Sequence, residues 1–257
     1  MSDSDQPHRF FFVHIMRTAG TVLRRRLRNH FGDASVYPTR GLDGTDPMKS
    51  YLSIDHLRER LAARGDQIRV ITGHFPLRTV ELIDGRLTTL TLLREPVERE
   101  LSRLRRRSLR RKALVEGEAG IGKKPLEEIY DDLPRGLADN NMTKMLSLTP
   151  AEMSASMFTP MELDRDHLER AKEALAGIDA VGLQEDFEDF CDRLAARFGW
   201  RLGEPEVVDT TAPVEVPESL RARITEDNAL DVELYEFAKL LATDDDHPGG
   251  EIVGVDQ

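Results

Sequence analysis

The sequence predicts an α/β fold of three layers, with a central, mainly parallel β-sheet flanked by helices. Three observations predict it. Short apolar runs at residues 10–15, 68–72, 87–93 and 180–183 alternate with segments of helical periodicity. The run Phe10-Phe11-Phe12-Val13-His14-Ile15 is nearly continuous, which suits a strand covered on both faces. Two of the runs lead through small turns straight into helices, the connection a parallel sheet requires.

The elements follow in order. After the first strand, Leu23, Leu27 and Phe31 recur at helical spacing from Gly20, with Arg24, Arg25, Arg26 and Arg28 mostly elsewhere around the helix, and Gly32-Asp33 stops it. Residues 38–50, carrying Pro38, Gly41, Gly44 and Pro47, read as a loop. Ser53 is placed to cap a helix bearing Leu57 and Leu61 that closes at Gly65. A strand at 68–72 ends in Gly73-His74-Phe75-Pro76, and a strand at 87–93 precedes a strongly basic helix from 97 to about 112. Helices are expected at 126–133, 137–147, 165–176 and 185–198, and a short strand at 180–183. Residues 205–217 read as a linker, 219–241 as one final helix, and the acidic tail from 243 as disordered, leaving a single domain over 1–242.

With 257 residues, 39% of them hydrophobic and 32% charged, the chain can bury one sizeable core. No apolar run approaches the roughly 20 residues of a membrane span. The acidic start Met1-Ser2-Asp3-Ser4-Asp5 lacks a signal-peptide layout. Cys191 is the single cysteine, so no intrachain disulfide can form, and a cytoplasmic location is expected. The net charge of −11 conceals an asymmetry: residues 1–112 hold 23 Lys/Arg against 13 Asp/Glu. A basic front half on an acidic protein fits a built-in anion site better than a nucleic-acid surface.

Two turns carry the chemistry. The first is Met16-Arg17-Thr18-Ala19-Gly20-Thr21, where small residues let the backbone approach an oxyanion and Arg17 adds charge. Thr18 alone could equally be a helix cap. The second is Arg94-Glu95-Pro96, with Ser102 eight residues after Arg94, a little over two helical turns on and so on roughly the face of the helix start. Together they suit a ligand with two separated phosphates.

These segments resemble known ones. His14-Ile15-Met16-Arg17-Thr18-Ala19-Gly20-Thr21 is similar to the phosphosulfate-binding loop of PAPS-dependent sulfotransferases, His-Ile-Pro-Lys-Thr-Ala/Gly-Gly-Thr. Leu93-Arg94-Glu95-Pro96 through Ser102 resembles that family's 3′-phosphate segment, Arg-Asp-Pro-x-x-Arg-x-x-Ser. Gly73-His74-Phe75-Pro76, the stretch 139–146 and Val181-Gly182-Leu183-Gln184-Glu185 resemble further landmarks of its carbohydrate (heparan-type, family 2-like) branch, in family order. The resemblance implies a P-loop NTPase-like version of the three-layer fold. It implies that Arg17, Thr18, Ala19, Gly20 and Thr21 hold the 5′-phosphosulfate of PAPS, and Arg94 with Ser102 the 3′-phosphate. PAP is the product it implies, and no metal is needed; the seven histidines form no evident ligand cluster.

On this reading the chain is a PAPS-dependent O-sulfotransferase acting on a hydroxyl of a carbohydrate or of a small glycosylated or lipid molecule. Arg17 stabilises developing charge, and His74 is the base, unless it is a structural histidine of the turn. Asp55, His56 and Glu81 are weaker base candidates, and His14 reads as a core residue. The family's Lys, Pro and Ser/Thr are Arg17, Met16 and Val22 here, departures that bear on turnover more than on binding. A non-catalytic PAP(S)-binding relic and a P-loop nucleotide kinase are the alternatives. For the kinase, Gly117-Glu118-Ala119-Gly120-Ile121-Gly122-Lys123 fits the spacing, but Lys124 stands where Ser/Thr should hold magnesium. The basic helix is either a solvated face or the lining of an entrance for anionic acceptors. Neither nucleic acid nor a membrane is an expected partner.

Overall fold

The computed structural model describes residues 8–39, 41–115, 124–133, 139–153, 159–203 and 216–243. The tail from 244, most of the expected linker and the Gly117–Lys123 motif lie outside them. Five strands form one all-parallel sheet: β1 (Arg9–Val13), β2 (Val36–Tyr37), β3 (Val70–Gly73), β4 (Leu87–Leu93) and β5 (Ala180–Leu183), in the order β2-β3-β1-β4-β5.

The run of three phenylalanines explains the layering. Successive strand side chains point to opposite faces. Phe11 and Val13 enter one core with Tyr37, Ile71, Leu93 and Leu183. Phe10 and Phe12 enter another with Leu23, Leu27, Phe190, Leu194 and Trp200. Burying each such phenylalanine contributes roughly 2–3 kcal/mol. The Phe10–Phe12 face is covered by α1 (Gly20–Phe31) and α8 (Phe187–Phe198). The other is covered by α3 (Ile54–Arg64), α6 (Asn141–Ser147), α7 (Arg165–Ala176) and α10 (Ala229–Thr243). A third cluster joins α4 (Pro96–Val115) to α5 (Leu126–Asp131) and α9 (Glu218–Asp227) through Leu101, Leu104, Ile129, Leu220 and Ile224.

Several boundaries differ from expectation. β1 ends at Val13, so His14 and Ile15 belong to the turn rather than to the strand. Residues 47–52 are not loop: Asp46 accepts a hydrogen bond from the Met48 N–H at 2.9 Å, and Pro47 sits at the first helical position, where its missing N–H costs nothing, starting α2 (Pro47–Leu52). The expected final helix is two, α9 and α10. It breaks at Asn228, whose side-chain oxygen accepts from the Asn140 N–H at 3.0 Å while its amide donates to the Ile224 carbonyl at 2.9 Å. The two-residue strand β2 has too little pattern to be seen in sequence.

Candidate active site

Sheet pairing places the candidate residues. β1 lies between β3 and β4, with Val13 opposite both Gly73 and Thr91. The turns after these strands therefore leave the same edge of the sheet side by side, the carboxyl edge where open α/β sheets bind ligands.

The two candidate turns touch each other directly. The Arg17 guanidinium donates to Ser102 Oγ from Nε at 3.1 Å and from Nη2 at 2.7 Å. Arg94 Nη1 donates to the Arg17 carbonyl at 3.3 Å. Arg94 Nε is buried with no partner among the described residues, and burial lowers the pKa of the group. Ser102 Oγ accepts both Arg17 bonds, which leaves its O–H proton to donate elsewhere.

The first turn is held open. Arg17 and Ala19 adopt left-handed conformations (φ 71° and 64°), which curl the backbone before α1. Ala19 is the cap residue and no side chain caps the helix; the Ala19 carbonyl takes the Val22 and Leu23 N–H groups, so the Gly20 and Thr21 N–H groups are the ones placed to meet an anion. Thr18 is not the cap. Its buried hydroxyl donates to the Ile15 carbonyl at 2.9 Å and braces the turn, so any donation by Thr18 to an oxyanion falls to its N–H. Thr21 is exposed on the first turn of α1.

The second turn works differently. The carboxylate of Glu95 accepts from the Val97 N–H at 3.1 Å and the Glu98 N–H at 2.7 Å, so the amino end of α4 already holds an anion. Among the described residues, the polar side chains that remain at this turn are those of Arg94 and Ser102 with Arg17. Glu185, Glu98 and Glu95 all interact with the Arg94 charge.

On the other side of β1, His14 and His74 follow Val13 and Gly73 in register. His74 Nδ1 lies 2.7 Å from the His14 carbonyl. A carbonyl only accepts, so Nδ1 carries the proton and the neutral ring presents its lone pair at Nε2. Burial lowers the His74 pKa, the bond to the His14 carbonyl works against this, and the Arg24 charge adds to the lowering. Burial holds His14 well below the usual histidine value, with His74 and Arg24 contributing. The His14 ring stacks on Phe12 (5.3 Å, 16°), lies 4.6 Å from the His74 ring, and fills the space in front of Gly20, where a Cβ would come within 2.1 Å of Cδ2. Glycine is required at position 20 by His14, a packing relation that no spacing rule reveals.

Within the stretch 139–146, Asn141 to Leu146 are buried framework and Asp139 and Asn140 half-buried. Asp231 accepts from the Met142 and Thr143 N–H groups at 3.0 and 2.7 Å and from the Thr143 hydroxyl at 2.8 Å, and lies 3.5 Å from buried Arg99. This ties α6 and α10 to α4 beneath Ser102. Nothing near Asp231 in the sequence marks it, since its partners are about 90 residues away. The weaker base candidates are otherwise placed: His56 Nε2 is 2.7 Å from the Asp43 carbonyl, Glu81 pairs with Arg78, and Asp55 is exposed at the amino end of α3.

Among the described residues, no group of three or more His, Cys, Asp or Glu side chains could hold a metal ion, and no helix is long and apolar enough to cross a membrane. Cys191 is buried, and burial pushes its thiol up to about 11.

Neither a protein-family model nor a curated protein sequence matches the chain. Among solved structures, the chain is similar to a sulfotransferase from Alicyclobacillus acidocaldarius, at 18% identity and a TM-score of 0.45, over 90% of this chain and 94% of that one.

Proposed function

We propose that the chain transfers a sulfuryl group from PAPS to an acceptor hydroxyl. One observation supports the reading: the segments that resemble the 5′- and 3′-phosphate elements are in direct contact, with Arg17 on Ser102 and Arg94 on the Arg17 carbonyl. The donor set fits a nucleotide charged at both ends. The uncapped α1 terminus and Arg17 suit the 5′ end, and the unpartnered Arg94 Nε with the Ser102 hydroxyl suits the 3′ end.

PAPS supplies the activated sulfuryl group. The acceptor oxygen forms the new S–O bond as the bond to the 5′-phosphate breaks, its proton passes to His74 Nε2, and PAP leaves. Arg17 and the α1 N–H groups stabilise charge as it grows on the departing phosphate. Arg17 holds its proton too tightly to give it up, so its help is purely electrostatic. The acceptor is a carbohydrate or a small glycosylated or lipid molecule.

The test is metal-free calorimetry with PAP, PAPS and Mg-ATP, followed by labelled sulfate transfer to a panel of hydroxyl acceptors. PAP binding in EDTA and label on an acceptor are expected. Preference for Mg-ATP would replace the proposal with a kinase, and tight PAP binding without transfer to any acceptor would replace it with a binding relic.

A further inference from the structure

One face of α1 runs on from the candidate donor turn at Thr21 and, beyond it, is spent on neither the core nor that turn. Thr21, Arg24, Arg25, Arg28 and Asn29 recur at i, i+3, i+4, i+7 and i+8 and line, with Val22 and Asp33, a recess of about 330 Å³. Three guanidinium groups face it against one carboxylate. Asp33 lies 3.7 Å from Arg28 Nε, and Arg28 Nη2 donates to the Pro38 carbonyl at 2.5 Å.

Arg24 is the informative member. It is half-buried, its Cζ lies 4.9 Å above the Tyr51 ring, and no carboxylate pairs with it among the described residues. A partly desolvated cation without a counter-ion is costly unless a ligand completes it. Its place in the fold says which ligand. The Tyr51 ring is 6.2 Å from the His74 ring, and the Tyr51 carbonyl accepts from the His74 N–H at 2.8 Å. Arg24 thus joins the recess it lines to the neighbourhood of the candidate base, whose charge state its own charge influences.

We propose that this arginine face of α1 is the acceptor's anion subsite: a carboxylate or sulfate on the acceptor docks between Arg24 and Arg28 while its hydroxyl meets His74. The inference deepens the sulfotransferase reading and rests on it for the hydroxyl, but the anion subsite itself can be tested alone. The lowering of the Arg24 pKa by burial agrees with a cation awaiting a partner.

The test is a titration followed by NMR of the arginine side-chain N–H groups, in protein saturated with PAP. The probes are methyl β-glucuronide, methyl β-glucoside, which lacks only the carboxylate, and inorganic sulfate. Saturable shifts at Arg24 and Arg28 with the glucuronide or with sulfate are expected, the responding probe telling carboxylate from sulfate ester. Arg24→Gln should weaken that binding ten- to a hundredfold and leave PAP affinity unchanged. Shifts that never saturate, equal binding of the neutral glucoside, or unchanged anion affinity in Arg24→Gln would overturn the proposal. If PAP does not bind, the same titration without it has the same two outcomes, so the subsite and the donor reading fail separately.

Discussion

Gly20→Ala tests the packing that shapes the first turn. In an open helix the change stabilises by up to about 1 kcal/mol, because alanine is the better helix former. Here the new Cβ would lie 2.1 Å from Cδ2, 2.4 Å from Nε2 and 3.0 Å from Cγ of His14. Contacts between such atoms want about 3.5–4.0 Å, so the ring must retreat by well over 1 Å. It has nowhere to go: Phe12 stacks on it, His74 abuts it, and it is only 4% exposed. Overpacking of this kind costs about 1–3 kcal/mol, so the expected net effect is a loss of about 1–2 kcal/mol, or about 2–8 °C in Tm for a chain of this size. Calorimetric melting reads it, with PAP affinity falling as the turn shifts. A double-mutant cycle isolates the cause: in a His14→Ala background, Gly20→Ala should be neutral or stabilising. A raised Tm for Gly20→Ala in the wild-type background, or an equal loss in both backgrounds, would refute the reasoning.

Other predictions concern the candidate site and its support. Arg94→Ala should weaken PAP binding by about 2 kcal/mol, roughly thirtyfold, the loss of a charged hydrogen bond; calorimetry showing no loss removes Arg94 from the site. His74→Ala should leave PAP affinity within about twofold and slow transfer by about 10²–10⁴-fold; unchanged turnover clears His74 of the base role. Because the His74 pKa is lowered from 6.5, chiefly by burial, the basic form prevails at neutral pH, so turnover should stay level there and fall only as the pH drops below about 6.5. A kcat profile with its half-point above pH 7 contradicts this. Asp231→Ala strips three bonds from α6 and leaves Arg99 buried beside the gap, so urea denaturation should show a loss of about 3 kcal/mol or more; less than about 1 kcal/mol would mean α6 is held otherwise.

The layered sheet was legible because its rule is local. Phe10-Phe11-Phe12-Val13 alternates between two cores, Leu87–Leu93 is bounded as expected, and Arg165–Ala176 carries its own capping residues. The meeting of residues 17–21 with 94–102 was expected from the residues of the two turns and from motif order, and β1–β4 pairing supplies its physical cause. What stayed hidden depends on contacts distant in sequence. Glu95 reads as part of a phosphate turn, yet its carboxylate closes the helix itself. Thr18 reads as a helix cap or a phosphosulfate contact, yet its hydroxyl donates to the Ile15 carbonyl. Arg24 is one of four arginines in a row of five residues, and only its position over Tyr51 beside His74 separates it from the rest.

The sharpest test compares PAP with 5′-AMP, which differ only in the 3′-phosphate, by calorimetry in EDTA on the wild type and on the Arg94→Ala/Ser102→Ala variant. If opposite ends of one nucleotide are gripped by the two turns, PAP binds the wild type at least tenfold more tightly than AMP, and the variant reduces that ratio to near one. Equal affinity for the two nucleotides in the wild type, or a ratio that survives in the variant, would contradict the account.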